Sequence, residues 1–313
     1  MTRSRRLWVG LAVASLALAS CDMPPGGTGG QAALPPPPRS DPPAASAQSE
    51  ALRVYYANLQ SQLLSRGLMR SDGGERDAPF NARMLTANFI RIALFDEFEN
   101  TRNGFVARPT ESRLRRWAVP VRVAVRFGAS VPADRRATDK ARIASYLARL
   151  SRLTGHPISV SETGANFQLY IVNEDERQAL GPTIRSAMPG IMGQEIAAFT
   201  QMPASTYCQV SALIDEKTSL YKRAFAVVRA EHPDLLHLSC LHEEIAQGLG
   251  LPNDSPQARP SIFNDNQEFA LLTPMDELML RMLYDPRLTP GMTAAQAEPI
   301  IARLASELLG GES

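Results

Sequence analysis

Apolar positions recur at helical spacing from Glu50 to Met69, where Leu52, Tyr55, Leu59, Leu63 and Leu64 predict one amphipathic helix. Asp72-Gly73-Gly74 breaks it. Asn81 to about Phe89 reads as a second helix, and Ile90 to Phe98 as extended chain. Asn103-Gly104 is a hairpin-type turn leading into Phe105-Val106. From Trp117 the period changes to two. Val119, Val121, Val123, Val125 and Phe127 face one way and Arg122 and Arg126 the other, the pattern of a half-buried strand. Asp134 to Leu153 returns to helical spacing, with Ile143, Leu147, Leu150 and Leu153 as its stripe and Gly155 closing it. Ile158 to Ser161 and Phe167 to Val172 read as strands. Residues 173–205 are a long excursion punctuated by Met, Pro and Gly. Tyr207 to Ile214 and Ala224 to Arg229 are further strands, and Asp234 to Leu249 is a helix. Residues 250–272 read as a loop. Thr273-Pro274 opens a helix to Tyr284, threonine as cap and proline in the first turn. Thr293 with Gln296 is a capping box that opens a last helix to about Leu309.

The sum is an α+β domain: a small mixed sheet, one helix crossing it after the first strand, a second long helix after the last strand, and helical extensions at both ends. The segments divide as 1–21, 22–49, 50–112 and 113–313. Composition adds little to that. The chain has 313 residues, 44% hydrophobic and 21% charged, with net charge +1. A near-neutral chain argues against broad nucleic-acid binding, which needs a basic surface to displace phosphate counterions. No apolar run beyond the N-terminus is long enough to span a bilayer.

The N-terminus changes the picture more. Arg3, Arg5 and Arg6 precede a short apolar stretch, Leu7 to Ala19, and then Leu18-Ala19-Ser20-Cys21. This resembles a bacterial lipoprotein signal, in which Cys21 becomes the diacylated first residue. An ordinary secretory signal is the alternative. Asp22 follows, which in similar enterobacterial lipoproteins favours the inner membrane over the outer. Residues 22–49 hold eight prolines and four glycines, so they cannot bury a core and read as a tether. The expected address is the cell envelope, lipid-anchored and facing the periplasm. Cys208 and Cys240 then remain in an oxidising space, where two cysteines most simply pair; a metal site or free thiols are the rival reading.

One segment carries candidate chemistry: His242-Glu243-Glu244-Ile245-Ala246-Gln247, continuing to Asn253-Asp254. At about 100° per residue, Leu238, Leu241, Ile245 and Leu249 form the apolar stripe. Glu243 and Gln247 lie on the opposite face, and His242 lies beside the stripe. Glu243 to Asn253 resembles the zinc helix of metzincin-type peptidases, H-E-x-x-H-x-x-G-x-x-H. Glu243 stands at the first histidine, Glu244 at the general-base glutamate and Gln247 at the second histidine. Gly250 stands at the turn glycine and Asn253 at the third ligand. The order of strands and helices before the motif is similar to the upper half of those enzymes. Ser261-Ile262-Phe263 and the helix ending in Leu283-Tyr284 resemble the stretch after their metal site. The chain is also similar to a family of proteobacterial lipoproteins of unknown function that share the His-Glu-Glu segment and the Leu-Tyr-Asp-Pro-Arg-Leu ending.

All three histidine positions are changed, and amide oxygens are poor zinc ligands. The resemblance therefore implies a degenerate zincin-like fold with no cofactor, in which Glu244 is a candidate base with no metal-bound water to act on. Binding-cleft candidates are His242, Glu243, Glu244, Gln247, Asn253 and Asp254. Zinc held by non-standard ligands, and calcium or magnesium on an oxygen-rich set, are the alternatives. The expected partner, beyond the membrane, is an extended peptide or envelope protein laid along strand 207–214. His156, His232 and His237 read as surface or capping residues, and Met188, Met192 and Met202 as core fillers. Arg113, Arg115 and Arg116 read as a solvated face.

Overall fold

The computed structural model describes residues 44–101 and 104–311. The lipobox, most of the tether and Asn103 of the expected turn lie outside the described residues.

The chain enters through α1 (Ala47–Ser65), capped by Ser46, and α2 (Ala82–Ala93), capped by Asn81. Strands β1 (Phe95–Thr101) and β2 (Gly104–Glu111) pair antiparallel. Then follow β3 (Val121–Phe127), α3 (Ala133–Thr154), β4 (Ile158–Val160) and β5 (Phe167–Val172). Three short helices come next: α4 (Glu174–Gln178), α5 (Gly181–Ala187) and α6 (Gly193–Thr200). After β6 (Cys208–Asp215) and β7 (Leu220–Arg229) the chain runs into α7 (Asp234–Gly250), α8 (Pro274–Leu283) and α9 (Ala294–Leu308). The five-stranded sheet has the order β4-β3-β5-β7-β6. Its first four strands are parallel, and the edge strand β6 runs antiparallel to β7. The α+β architecture expected from the periodicity is the architecture found.

Alternation along the strands decides which helices cover which face. Val121, Val123 and Val125 of β3, with Phe167, Leu169 and Ile171 of β5, point into one buried cluster with α3, α7 and α8. Leu85, Phe89 and Ile92 of α2 belong to that same cluster, so residues 82–93 share a core with the sheet. On the other face Val172, Phe225 and Val227 pack against Ile184, Met188, Phe199 and Met202 from the α4–α6 region. Residues 173–205 are therefore a second, helical covering layer. Met188 and Met202 fill it as expected, but Met192 is 44% exposed and is not part of that core.

Two boundaries differ for physical reasons. Ile90 to Ala93 is helical, because Phe89, Ile92 and Ala93 continue the buried face of α2, and a continuous helix buries them better than an early strand. The first sheet strand begins at Val121, after Pro120; Val119 is exposed and offers its carbonyl to the His156 ring. The expected capping box of Thr293 with Gln296 is present, and the Thr273 cap is itself part of a capping box with Asp276.

Candidate functional site

Helix α7 carries the candidate chemistry, and its position is fixed by close contacts along its length. The disulfide Cys208–Cys240 ties its second turn to β6. Gly248 lets the helix press onto the sheet: a Cβ there would stand 2.5 Å from the Phe167 ring. The Trp117 indole donates to the Gly248 carbonyl at 2.8 Å. Gly250, at φ +129°, ends the helix where a Cβ would meet the Arg115 carbonyl oxygen at 2.5 Å.

This packing buries α7 on most of its circumference. Leu241, Ile245 and Leu249 are buried as expected, but Leu238 is only half-buried, while Cys240 and Glu244 are buried on the supposedly outer side and Ala246 and Gly248 on the flanks of the stripe. A single apolar stripe is thus the wrong picture. The helix lies between the sheet and the α8 layer, so it has two inner faces.

His242 points away from the other candidates. Its ring stacks on Tyr146 of α3 at 4.0 Å and 2° between planes. Its Nδ1 accepts the Leu272 backbone N–H at 3.2 Å. Burial pushes the imidazole down to about 4, with the Arg149 charge adding to the effect, so the ring is neutral near pH 7. The Tyr146 hydroxyl donates to the His242 carbonyl at 2.9 Å. His242 therefore bridges α3, α7 and the loop before α8.

The remaining candidates form a polar seam. Glu243 is half-buried and Glu244 is 4% exposed. Gln247 Nε2 donates to Asp254 Oδ1 at 3.0 Å, which fastens the loop after α7 back onto the helix. Asn253 is buried; its side-chain amide donates to the Arg91 carbonyl at 2.8 Å and its backbone N–H to Ile92 at 3.2 Å. Asn253 thus pins the loop to the end of α2. Asn253 Oδ1 is buried without a hydrogen-bond partner among the described residues. No group of three or more His, Cys, Asp or Glu among the described residues is arranged to hold a metal ion.

The most charged interior lies elsewhere. Glu174, Arg177, Arg229 and Glu231 are all at most 4% exposed, at the carboxyl ends of β5 and β7. Glu174 takes a fork of bonds from Arg177, at 3.1 and 2.6 Å, and another bond from Arg229. Burial alone would raise the Glu174 carboxyl; hydrogen bonds from Arg177 and Gln178 and the Arg229 charge bring it below its ordinary range. Glu231 accepts from the Ser49 hydroxyl at 2.6 Å and from the Glu174 N–H at 2.7 Å, which anchors the start of α1. His232 and His237 are buried, contrary to the surface role read from their scatter: His237 contacts Asp139 at 3.0 Å, and His232 sits edge-on to Tyr56 at 4.5 Å. The sequence held one unused signal for this region, the Asn173-x-x-Glu176 capping box that opens α4.

A third buried cluster fixes the loop beyond the motif. Asp276 accepts from the hydroxyls of Ser261 and Thr273 and from the backbone N–H groups of Ile262 and Thr273. Burial still pushes this carboxyl up to about 6. Phe263, in the same loop, is fully buried. No helix among the described residues is long and apolar enough to cross a membrane.

No curated protein and no solved structure matches the chain. A family model described as "Protein of unknown function (DUF2927)" matches residues 82–303. That span runs from α2, through the sheet and the α7 motif, into α9, more than two thirds of the chain, and the chain belongs to the DUF2927 family.

Proposed function

We propose that this protein is a lipid-anchored envelope protein whose domain is a non-catalytic, zincin-like module that holds an extended peptide along β6. The anchor rests on Leu18-Ala19-Ser20-Cys21 and the proline-rich run after it. The zincin-like reading rests on the strand order, with its antiparallel edge strand, and on the spacing of Glu243, Glu244, Gln247, Gly250 and Asn253. The observation that carries the binding role is the state of β6. It is an edge strand paired with β7 alone, half-buried along all eight residues, and fastened by Cys208 to the helix that bears the polar seam. An edge strand offers a row of N–H and C=O groups to a second chain, and β-augmentation uses that row directly.

The non-catalytic part rests on what the motif residues do instead. Gln247 holds Asp254, and Asn253 holds α2. Side chains committed to structural bonds are poorly placed to gather a cation. A peptide panel with hydrogen-exchange readout tests the reading on the full chain. A binding peptide should slow exchange at alternate amides of residues 208–215 and leave β3 unchanged. Absence of protection on β6 with a peptide that binds elsewhere would reject the edge-strand role. Stoichiometric zinc, together with proteolysis abolished by Glu244→Gln, would replace it with the metallopeptidase alternative. Membrane fractionation of Cys21→Ser should show release from the membrane; retention would reject the anchor.

A further inference from the structure

A pocket of about 460 Å³ opens where the chain enters β3, close to the ends of α3 and α8. None of the residues 242–254 lines it. Its volume falls within the usual range for small-molecule sites, on the order of 300–1,000 Å³. The walls combine one cation, two neighbouring rings and small residues.

Arg116 is the cation. Its backbone is fixed, since the Tyr221 N–H donates to the Arg116 carbonyl at 3.1 Å. Its Nη1 donates to the carbonyls of Leu283 and Asp285, at 2.6 and 3.1 Å. The Nε–Nη2 edge of the guanidinium makes no hydrogen bond among the described residues, and no carboxylate there lies within ion-pair distance of Arg116. The nearest acid to act on it, Asp285, is held by Arg287 through bonds of 2.9 and 3.0 Å. A half-buried cation without an anionic partner is an unfavourable arrangement for stability alone. Burial pushes its pKa down accordingly.

The rings are Tyr284 and His156. The guanidinium carbon lies 5.7 Å from the Tyr284 ring centroid. The His156 ring lies 4.8 Å from that of Tyr284, tilted by 33°. His156 Nε2 faces the Val119 carbonyl at 2.9 Å, so that nitrogen carries the proton. Burial, with the Arg116 charge, holds this imidazole below its ordinary value and therefore neutral. Arg116 is thus the only charged side chain among the residues that line the pocket.

We propose that this pocket binds a small aromatic carboxylate, its carboxyl group forked by the Nε–Nη2 edge of Arg116 and its ring against Tyr284 and His156. Two parallel N–H bonds to a carboxylate match the planar guanidinium geometry, and the rings supply apolar area for a planar body. The site is independent of any peptide on β6.

Titration calorimetry on the full chain with benzoate, benzamide and inorganic phosphate tests it. Benzoate should bind saturably, and benzamide, which has the same shape without the charge, at least tenfold more weakly. Arg116→Gln should weaken benzoate at least tenfold and leave benzamide unchanged. Thr218→Trp, placed at an exposed wall position, should block benzoate without touching the Arg116 bonds, and it serves where Arg116→Gln fails to fold. Saturating benzoate should also raise the His156 pKa by neutralising the neighbouring guanidinium. Equal binding of benzoate and benzamide, benzoate affinity unchanged in folded Arg116→Gln or Thr218→Trp, no saturable benzoate binding, or tighter binding of phosphate than of benzoate would each overturn the proposal.

Discussion

Single residues decide how closely α7 approaches its neighbours. Gly250 and Gly155 both sit at positive φ, +129° and +67°, and both end a long helix. They differ in surroundings. A Cβ on Gly155 meets nothing within 4 Å, whereas one on Gly250 meets the Arg115 carbonyl oxygen at 2.5 Å and Leu283 at 2.9 Å. Gly155→Ala should therefore cost only the left-handed backbone strain, about 1 kcal/mol. Gly250→Ala adds a backbone clash that cannot relax by rotating a side chain, and should cost about 2–4 kcal/mol. Urea midpoints of the two variants separate these effects; equal losses would mean that the close approach contributes nothing. Gly250 does occupy a special backbone position, at positive φ where its helix ends. The roles of its neighbours were not legible in the same way. Spacing places His242 beside the apolar stripe, but only the fold brings Tyr146, 96 residues away, under its ring.

Periodicity was most informative where one element buries mainly one face, as in β3 and α3, whose limits fall within a few residues of the sequence reading. It misled where an element is enclosed on two sides. Helix α7 has no solvent stripe wide enough to set its phase, so Leu238 could be mistaken for core and Glu244 for surface. The buried Glu174–Arg177–Arg229 cluster was invisible for a related reason: charged residues read as solvated unless their partners are known, and these partners are up to 55 residues apart. The pairing of Cys208 with Cys240, by contrast, followed from counting cysteines on the expectation of an oxidising compartment, and the two are joined. The bridge spans 32 residues of chain and locks the edge strand to α7. Opening it should cost about 3–4 kcal/mol in the chain-entropy account. Reduction of the full chain should therefore lower the urea midpoint and speed amide exchange in β6 more than in β3. Two alkylatable thiols in freshly isolated protein, or an unchanged midpoint on reduction, would contradict this role for the bridge.

At the scale of the whole molecule, burial acts on all four histidines in one direction. His156, His232, His237 and His242 are each held below the ordinary value of 6.5, His232 strongly and His242 down to about 4. Between 6.5 and those lower values the unfolded chain binds protons that the folded chain does not, so stability must fall as pH falls through this window. For His242 the span corresponds to about 3 kcal/mol. Asp276 opposes it. Its carboxyl is raised from 3.8 to about 6, so the folded chain gains a proton first and stability rises as pH drops from about 6 toward 3.8, again by about 3 kcal/mol. These two largely offset each other, which leaves His156 and the buried pair His232 and His237 to set the sign. Neither ring nitrogen of His232 has a hydrogen-bond partner among the described residues, and Arg229, Arg135 and His237 all disfavour its protonation. The urea midpoint of the full chain should therefore fall from pH 7.5 to pH 5. His232→Phe keeps the edge-on packing against Tyr56 and removes the titrating group, so it should shrink that fall while leaving the midpoint at pH 7.5 nearly unchanged. A midpoint that stays level or rises on acidification in the wild-type chain, or an equally steep fall in His232→Phe, would show that buried histidine is not what makes this fold acid-sensitive.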